Sequence, residues 1–406
     1  MTRTSRSTGL GPLLLVTLAL LASVAPFSTD LYLSAFPVMA EELNTSAATI
    51  QLTLTSFLIG LAIGQLVFGP ISDRVGRRGP LLIGSTVFVL ASIAVMLAPS
   101  VELLIAARLL QGVSGAAGMV LGRAVVADRE KGDAAARAFS LMMIVGGIAP
   151  VIAPLAGSLV LDQLGWRGVL GVLVALSIVM LLGSWFVVKE TLPREQRSPA
   201  GTGRFRLLLS AQYLTPAATF VFGFSVMMAY ISASPFLYQD VIGLEPTVYG
   251  LFFGLNALGL AGCSFIGSRM LRRFTSRTVL GWGVIGLVGS TTAVLALALS
   301  ALPAAWMMVP IFVSVASLGF VMGPATALAL SAVPGASGTG SAVLGASQFG
   351  FAAIVSPLVG LGGSEATLPL AVVMFTMALL AAVAHVSGRF TAVVQKPSNP
   401  VEFTKQ

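Results

Sequence analysis

Cysteine and histidine are almost missing from this 406-residue chain, which has one of each, Cys263 and His385. That excludes a disulfide framework, a zinc site built on several Cys and His ligands, and a Cys/His catalytic pair. Charge is also scarce, at 9% of residues, where a soluble domain carries about 25%. With 56% hydrophobic residues and a mean hydropathy of +0.95, the chain cannot cover a water-facing surface and belongs in a membrane. The net charge of +8 and pI near 10.2 would suit nucleic acid only if the cations formed a face. They sit instead in short clusters between apolar runs, which argues against a nucleic-acid partner. No Gly-rich phosphate loop ending in Gly-Lys-Ser/Thr is present, so ATP is not the expected energy source. A membrane-embedded enzyme would need a cluster of catalytic groups, which the apolar runs lack, and neither a metal nor a cofactor is implied.

What is present is a series of runs long enough to span a bilayer, each near the roughly 20 apolar residues that a helix needs. They cover Leu13 to Phe36, Ile50 to Phe68, Leu81 to Leu97, Leu103 to Val126, Phe139 to Val160 and Val169 to Val188. A second set covers Leu214 to Phe236, Tyr249 to Ile266, Val279 to Leu299, Trp306 to Leu328, Ser341 to Leu361 and Leu368 to Val386. The fold class is therefore all-α and integral to the membrane, with twelve transmembrane helices. One long polar stretch, Lys189 to Ser210, divides them six and six. The expected organisation is a first bundle over 1–188, a linker over 189–210, a second bundle over 211–390 and a tail over 391–406.

Short cytoplasmic loops retain Lys and Arg. With the N-terminus inside, 20 of the 23 basic residues fall on the inner side, while Arg167 is the one in an outer loop. Both termini are expected inside. The start, with Arg3, Arg6 and the small residues Ser23-Val24-Ala25, has features of a signal peptide. Its apolar character continues to Phe36, so it reads as the first span. Asn44-Thr45-Ser46 fits a glycosylation acceptor and is read as coincidence.

An internal repeat relates the halves. Gly69 to Leu82, after the second run, corresponds to Gly267 to Leu280 after the eighth, at an offset of 198 residues. Two bundles in the same orientation are a parallel repeat, which in transporters leaves a central cavity between the halves.

Ionisable groups at mid-bilayer cost at least about 2.5–3.5 kcal/mol, so each needs a reason. The runs contain Asp30, Arg108, Arg123 and, near an end, His385. Asp30 and Arg108 each lie roughly 9 Å below their outer helix ends at the helical rise per residue. At one depth they can face one cavity, either as a proton switch or as a fixed ion pair. Arg123 is near an inner end and can snorkel. His385 reads as a helix-end group, and Cys263 as helix packing. The loop Asp73-Arg74-Val75-Gly76-Arg77-Arg78 pairs an acid and a glycine with its arginines, which a plain topology signal would not need. In the fifth run, Gly146, Gly147, Pro150, Pro154 and Gly157 permit close packing and a bend, so that helix can hinge.

These motifs carry a resemblance. Gly69 to Arg78 is similar to the loop signature of the major facilitator superfamily, Arg108 to Gly115 resembles its fourth-helix motif, and the fifth-helix glycine and proline run resembles the motif of its proton-coupled exporters. Ser28 to Pro37, Tyr230 to Phe236 and Phe253 to Ala257 are similar to the bicyclomycin and chloramphenicol resistance (Bcr/CflA) branch, with Ser34 in place of a usual proline. The resemblance covers the whole chain. It implies the two-bundle fold and a drug:proton antiporter in a bacterial cytoplasmic membrane, with both termini cytoplasmic. Asp30 would then be the proton acceptor and Arg108 its coupled base. Gly69, Asp73, Arg74, Gly76, Arg77 and Arg78 would gate the inner side, together with Gly146, Pro150, Pro154 and Gly157.

For the substrate, Tyr32, Phe36, Met119, Met142, Met143, Tyr230, Asn256 and Gln348 offer aromatic, sulfur-containing and amide groups suited to loose apolar recognition. Expected partners are a small amphiphilic drug, neutral or zwitterionic, together with protons and membrane lipid, and a monomer is expected to suffice. An exporter or symporter of a sugar, amino acid or organic acid shares the fold, although such proteins usually need more polar spans.

Overall fold

A computed structural model describes residues 11–130, 132–197, 208–333, 337–360 and 367–394. Much of the expected linker and nearly all of the tail lie outside the described residues. The described residues are helical throughout, with short turns between elements.

The first span is not one helix. It comprises α1 (Pro12–Ala22), α2 (Val24–Asp30), a 3-10 turn (Leu33–Ala35) and α3 (Phe36–Glu42). Proline has no N–H, so Pro26 cannot bond the Ala22 carbonyl and Pro37 cannot bond that of Leu33. The helix breaks at those two levels, and the pair of segments bends by 47° at Ser23. The turn at Leu33–Ala35 forms although Ser34 stands where the resemblance expects a proline.

The first half continues with α4 (Ala47–Val75), α5 (Arg78–Met96) and α6 (Val101–Arg129). A long helical run, Gly132–Val187, is interrupted at Gly165, whose φ of 64° suits only a residue without Cβ, and divides into α7 (132–164) and α8 (166–187). The second half contains α9 (Ala211–Pro235), a π-helical turn (Phe236–Val241), α10 (Pro246–Met270), α11 (Ser276–Ala298), α12 (Met308–Ser331), α13 (Ser337–Gly360) and α14 (Thr367–Val394). Among the described residues, ten helices are long and apolar enough to cross a membrane. The bent first pair makes an eleventh, and the break at Gly165 splits the 40-residue Ile148–Val187 span, giving twelve.

Polar surface would be expected outside a soluble bundle. Here Phe186 is 75% exposed, and Ile285, Val309 and Leu90 are exposed on other helices, an outward apolar face that only lipid satisfies. Within the halves, α4 and α5 pack on α6, while α9 packs on α12, α13 and α14. The halves meet along α4 with α13 and α7 with α10. Further contacts close the end that the charge pattern assigns to the outside. Gln239 Nε2 donates to the Ser34 carbonyl at 3.2 Å, and the Phe36 and Phe236 rings lie 6.0 Å apart. Thr247 Oγ1 donates to Asp162 at 3.3 Å.

Candidate transport site and inner knot

Arg108 is fully buried on α6, and its guanidinium is spread over two helices of its own half. It donates to the Ser28 carbonyl at 2.9 Å, the Tyr32 hydroxyl at 3.0 Å, the Thr53 carbonyl at 3.4 Å and Gln111 Oε1 at 2.6 Å. The Tyr32 and Phe57 rings cover it at 4.5 and 4.4 Å. Gln111 in turn donates to Ser92 at 2.7 Å, and Tyr32 shares a hydrogen bond with Thr53 at 3.0 Å. A cation held this way is fixed by neutral oxygens and π faces instead of a carboxylate.

Asp30 is buried at the end of α2 and forms no ion pair with Arg108, an outcome that shared depth alone left open. The reason is angular. Ser28 and Tyr32 are four residues apart and share the face toward Arg108, whereas Asp30, two residues from each, points to the other side. Its described hydrogen bond is local, from Thr29 Oγ1 to Oδ1 at 2.7 Å. The segment just after Asp30 meets the second half through the Ser34 carbonyl and the Phe36 ring.

Tyr249 belongs to an aromatic cluster of the second half. Tyr230 stacks on Phe253 at 5.6 Å and accepts a hydrogen bond from Asn256 Nδ2 at 2.6 Å. Tyr238 meets Tyr230 and Tyr249 edge-on at 6.3 and 5.9 Å, and Tyr249 shares a hydrogen bond with Ser234 at 3.1 Å. Thus Tyr230 and Asn256 come together, as do Tyr32 and Phe36, whose rings are 4.9 Å apart. Met119 and Met142 sit lower, among core side chains, with Met142 beside Gly122. Gln348 is half-buried on α13, and the Met143 side chain lies outside the described residues. Tyr238 and Tyr249 were missed in the sequence, and Phe253 entered only as part of the eighth-helix motif. Four of the chain's five tyrosines gather at this level, and that clustering of a rare residue was the available signal.

α7 links the two sides. A Cβ on Gly157 would run into the Leu31 carbonyl, next to Asp30, while Pro154, Leu155 and Ser158 press on Gly250, next to Tyr249. Gly157 is therefore required for contact, but Gly146 is not, since a Cβ there would meet Ser23 at an ordinary 3.8 Å. The helix runs unbroken through Pro150 and Pro154, and Gly165 forms the turn between the fifth and sixth runs.

At the opposite end, the loop between α4 and α5 forms a charged knot. Gly76 has a φ of 104°, and a Cβ there would strike Glu190 and Arg197. Arg77 binds Asp73 at 2.5 Å and Asp128 at 3.1 Å, and Asp128 also accepts from Thr191 Oγ1 at 2.9 Å. Arg78 donates to the Trp185 carbonyl at 3.1 Å, while Arg74 is exposed and Gly69 has room for a Cβ. Glu190 accepts the backbone N–H groups of Arg77, Arg78, Thr191 and Leu192, capping α5. Burial pushes the Glu190 carboxyl up, but those four N–H donors outweigh it and hold it below the usual carboxylate range. A depressed carboxyl contributes stability above its unfolded value and loses it as pH falls through the folded one, so the cap persists at neutral pH and loosens only in acid. Asp128 and Glu190 escaped the sequence reading because they lie far along the chain from the loop they hold.

Arg77 is the centre of the knot, with a side chain 12% exposed. Arg77→Gln is expected to lower stability by about 1.5–3 kcal/mol. Asp73→Asn should cost less, because Arg77 keeps Asp128. Unfolding midpoints of the detergent-solubilised chain check this, and equal losses would contradict the primacy of the Asp128 pair.

Twelve spans in two six-helix bundles are the architecture of a membrane transporter, and the family match agrees. The chain belongs to the Major Facilitator Superfamily, whose family model matches residues 18–357. It is 36% identical to the uncharacterized MFS-type transporter YdgK of Bacillus subtilis, over 90% of this chain and 93% of that protein. It is 28% identical to a bicyclomycin resistance protein homolog of Haemophilus influenzae, over 89% of this chain and 92% of that one. With the multidrug resistance protein MdtL of Escherichia coli it shares 29% over 63% of this chain and 66% of MdtL. These relatives agree with the resemblance to the bicyclomycin and chloramphenicol resistance branch. Among solved structures, the nucleoside transporter NupG matches with a TM-score of 0.73 at 13% identity, over 93% of this chain and 98% of that one. A bacterial homolog of the human lysosomal transporter Spinster, inward-facing and occupied, matches with a TM-score of 0.73 at 18% identity, over 93% and 96%. Both likenesses concern the fold.

Proposed function

We propose that the chain is a proton-coupled antiporter that exports small amphiphilic drugs, neutral or zwitterionic, of the chloramphenicol-like or bicyclomycin-like kind. The observation that carries this reading is the state of Asp30. Among the described residues it is a fully buried carboxylate at spanning depth with no cation within ion-pair distance. Such a group is cheaper neutral than charged, so it takes up a proton readily and releases it when its surroundings change. Its position against the second half makes that change available, because rocking of one bundle against the other uncovers it.

Arg108 acts on a different part of the cycle. It locks the Ser28–Tyr32 turn to α4 and α6, and so fixes the height and direction of Asp30 without neutralising it. The aromatic groups around Tyr230, Tyr238, Tyr249 and Phe253 offer the substrate flat apolar faces, with Asn256 as an amide handle. The knot around Arg77 holds the inner ends of α4, α5 and α6 as one body while the first bundle, 1–188, moves against the second, 211–390. Both termini and the linker lie on the cytoplasmic side, in accordance with the charge pattern. The relatives named for bicyclomycin and multidrug resistance support the substrate class.

The experiment is a drug-susceptibility panel in an efflux-deficient bacterial host that expresses the chain. The expected outcome is raised tolerance to chloramphenicol or bicyclomycin that disappears when the proton gradient is collapsed. Unchanged tolerance across the panel, with uptake of a sugar, amino acid or organic acid, would favour the metabolite reading instead. In the same cells, external trypsin should not cut the linker of right-side-out vesicles, and cutting would invert the orientation.

A further inference from the structure

The repeat exposes a difference between the two inner ends. In the first half, the Arg77 side chain of the α4–α5 loop pairs with two carboxylates, Asp73 and Asp128, and a third, Glu190 at the start of the linker, accepts the main-chain N–H groups of Arg77 and Arg78. Among the described residues of the second half the acids are Asp240 and Glu245, both in the outer connection between α9 and α10, whereas Arg277 stands at the start of α11. The inner end of the second half therefore has an arginine at the start of α11 and, among the described residues, no acid to balance it.

Where the charges are missing, there is a cavity of about 200 Å³. It is enclosed by the inner ends of α9, α11, α12 and α14 and lined by Arg277, His385, Gln212, Thr215, Thr219 and Ser331. No aspartate or glutamate lines it among the described residues. Arg277 is half-buried, with Nη1 donating to the Gly388 carbonyl on α14 at 2.7 Å. A guanidinium carries five donors in a planar fork, of which this main-chain contact uses one. His385 is buried on the opposite wall, and the hydroxyls of Thr215, Thr219 and Ser331 supply short neutral groups around it. Gln212 and Ser331, at the rim, are exposed, so the cavity opens at the inner boundary of the membrane.

We propose that this cavity binds a phosphate-type oxyanion, which takes the part that Asp73, Asp128 and Glu190 play in the first half. The phosphate is either the headgroup of an anionic inner-leaflet lipid or a free ion. Both present the same oxygens to Arg277, and the rim lies where a headgroup would sit. Occupation ties α9, α11, α12 and α14 together at one end, as the Arg77 knot ties the first bundle. The site is separate from the Asp30 level and does not depend on which drug is carried.

The test uses the full chain purified in an uncharged detergent. Its unfolding temperature is followed against dioctanoyl phosphatidic acid, dioctanoyl phosphatidylcholine and, at matched ionic strength, inorganic phosphate. Phosphatidic acid is expected to raise the unfolding temperature saturably, and phosphatidylcholine is not. In Arg277→Gln the half-saturating concentration should rise at least tenfold. Because Arg277 also holds the Gly388 carbonyl, Ser331→Glu provides a second variant. It places a carboxylate at the exposed rim, should fold normally, and should weaken phosphatidic acid to a similar extent. Saturable stabilisation by inorganic phosphate, lost in both variants, would assign the site to a free anion, and stabilisation by the lipid alone would assign it to a headgroup. Equal shifts with phosphatidylcholine, no shift with either phosphate, or unchanged affinity in both variants would overturn the proposal.

Discussion

Arg108→Lys is expected to lower transport at least tenfold in a chain that still inserts and folds. Lysine keeps the charge, but its three donors leave from one point and cannot reach four acceptors spread over the Ser28 and Thr53 carbonyls, Tyr32 and Gln111. A buried acceptor left without its donor costs about 1–3 kcal/mol. One such loss, in the state that carries Asp30 through its cycle, is enough for about a tenfold effect on rate. Arg108→Ala should be worse, because it takes a donor from all four acceptors at once, Tyr32 and the Thr53 carbonyl keeping only their bonds within the first half, and empties the space between the Tyr32 and Phe57 rings. The check is initial efflux rate per molecule of inserted protein, together with the unfolding midpoint. A lysine variant that transports at the wild-type rate would show that charge alone, and not the fork, is what the site needs.

Asp30→Asn is expected to abolish uphill export while leaving binding and downhill exchange in place. Asparagine reproduces the shape of the protonated carboxyl and can still accept from Thr29, but it cannot cycle a proton. A proton entering down 100 mV supplies about 2.3 kcal/mol, enough to hold a neutral drug at a roughly fifty-fold gradient for each proton exchanged. In the variant that ratio should fall to about one. Separating Asp30 from Arg108 sharpens the contrast between the two residues. Loss of Asp30 removes the driving force, whereas loss of Arg108 removes the geometry, so Arg108 variants should slow exchange as well as uphill export.

Much of the architecture could be read from composition and spacing. The apolar runs lie within the described helices, overrunning their ends by about a residue at most, and the division six and six was read from the polar stretch Lys189 to Ser210. Other features depend on information that a run of apolar residues does not carry. The double break of the first span was present in Pro26 and Pro37, yet a hydropathy run hides it, because proline only subtracts a donor. Asp30 and Arg108 were placed at one depth by rise per residue, but their relation was decided by angle around the helix. That angle was available from Ser28, Asp30 and Tyr32 had it been counted. Two of the acceptors that hold Arg108 are main-chain carbonyls, which every residue has and no motif marks. Glu190 and Asp128 are ordinary acids in polar stretches until the fold brings them to Gly76 and Arg77. In the fifth run, the residues singled out as flexible proved unequal. Gly157 is fixed by a backbone contact, Gly146 has space, and the helix continues through Pro150 and Pro154.

The central claim is that Asp30 carries the coupled proton. It is tested most directly by reconstituting wild type and Asp30→Asn in proteoliposomes and following lumenal pH when chloramphenicol or bicyclomycin is added in the absence of a preset pH gradient. For wild type the account predicts substrate-dependent proton movement opposite in direction to the drug, and under an imposed gradient, accumulation against the drug's own gradient. For Asp30→Asn it predicts neither, with drug binding retained. If the asparagine variant still moved protons in step with the drug, or still concentrated drug in response to the pH difference, Asp30 would not be the coupling group and the account would be wrong.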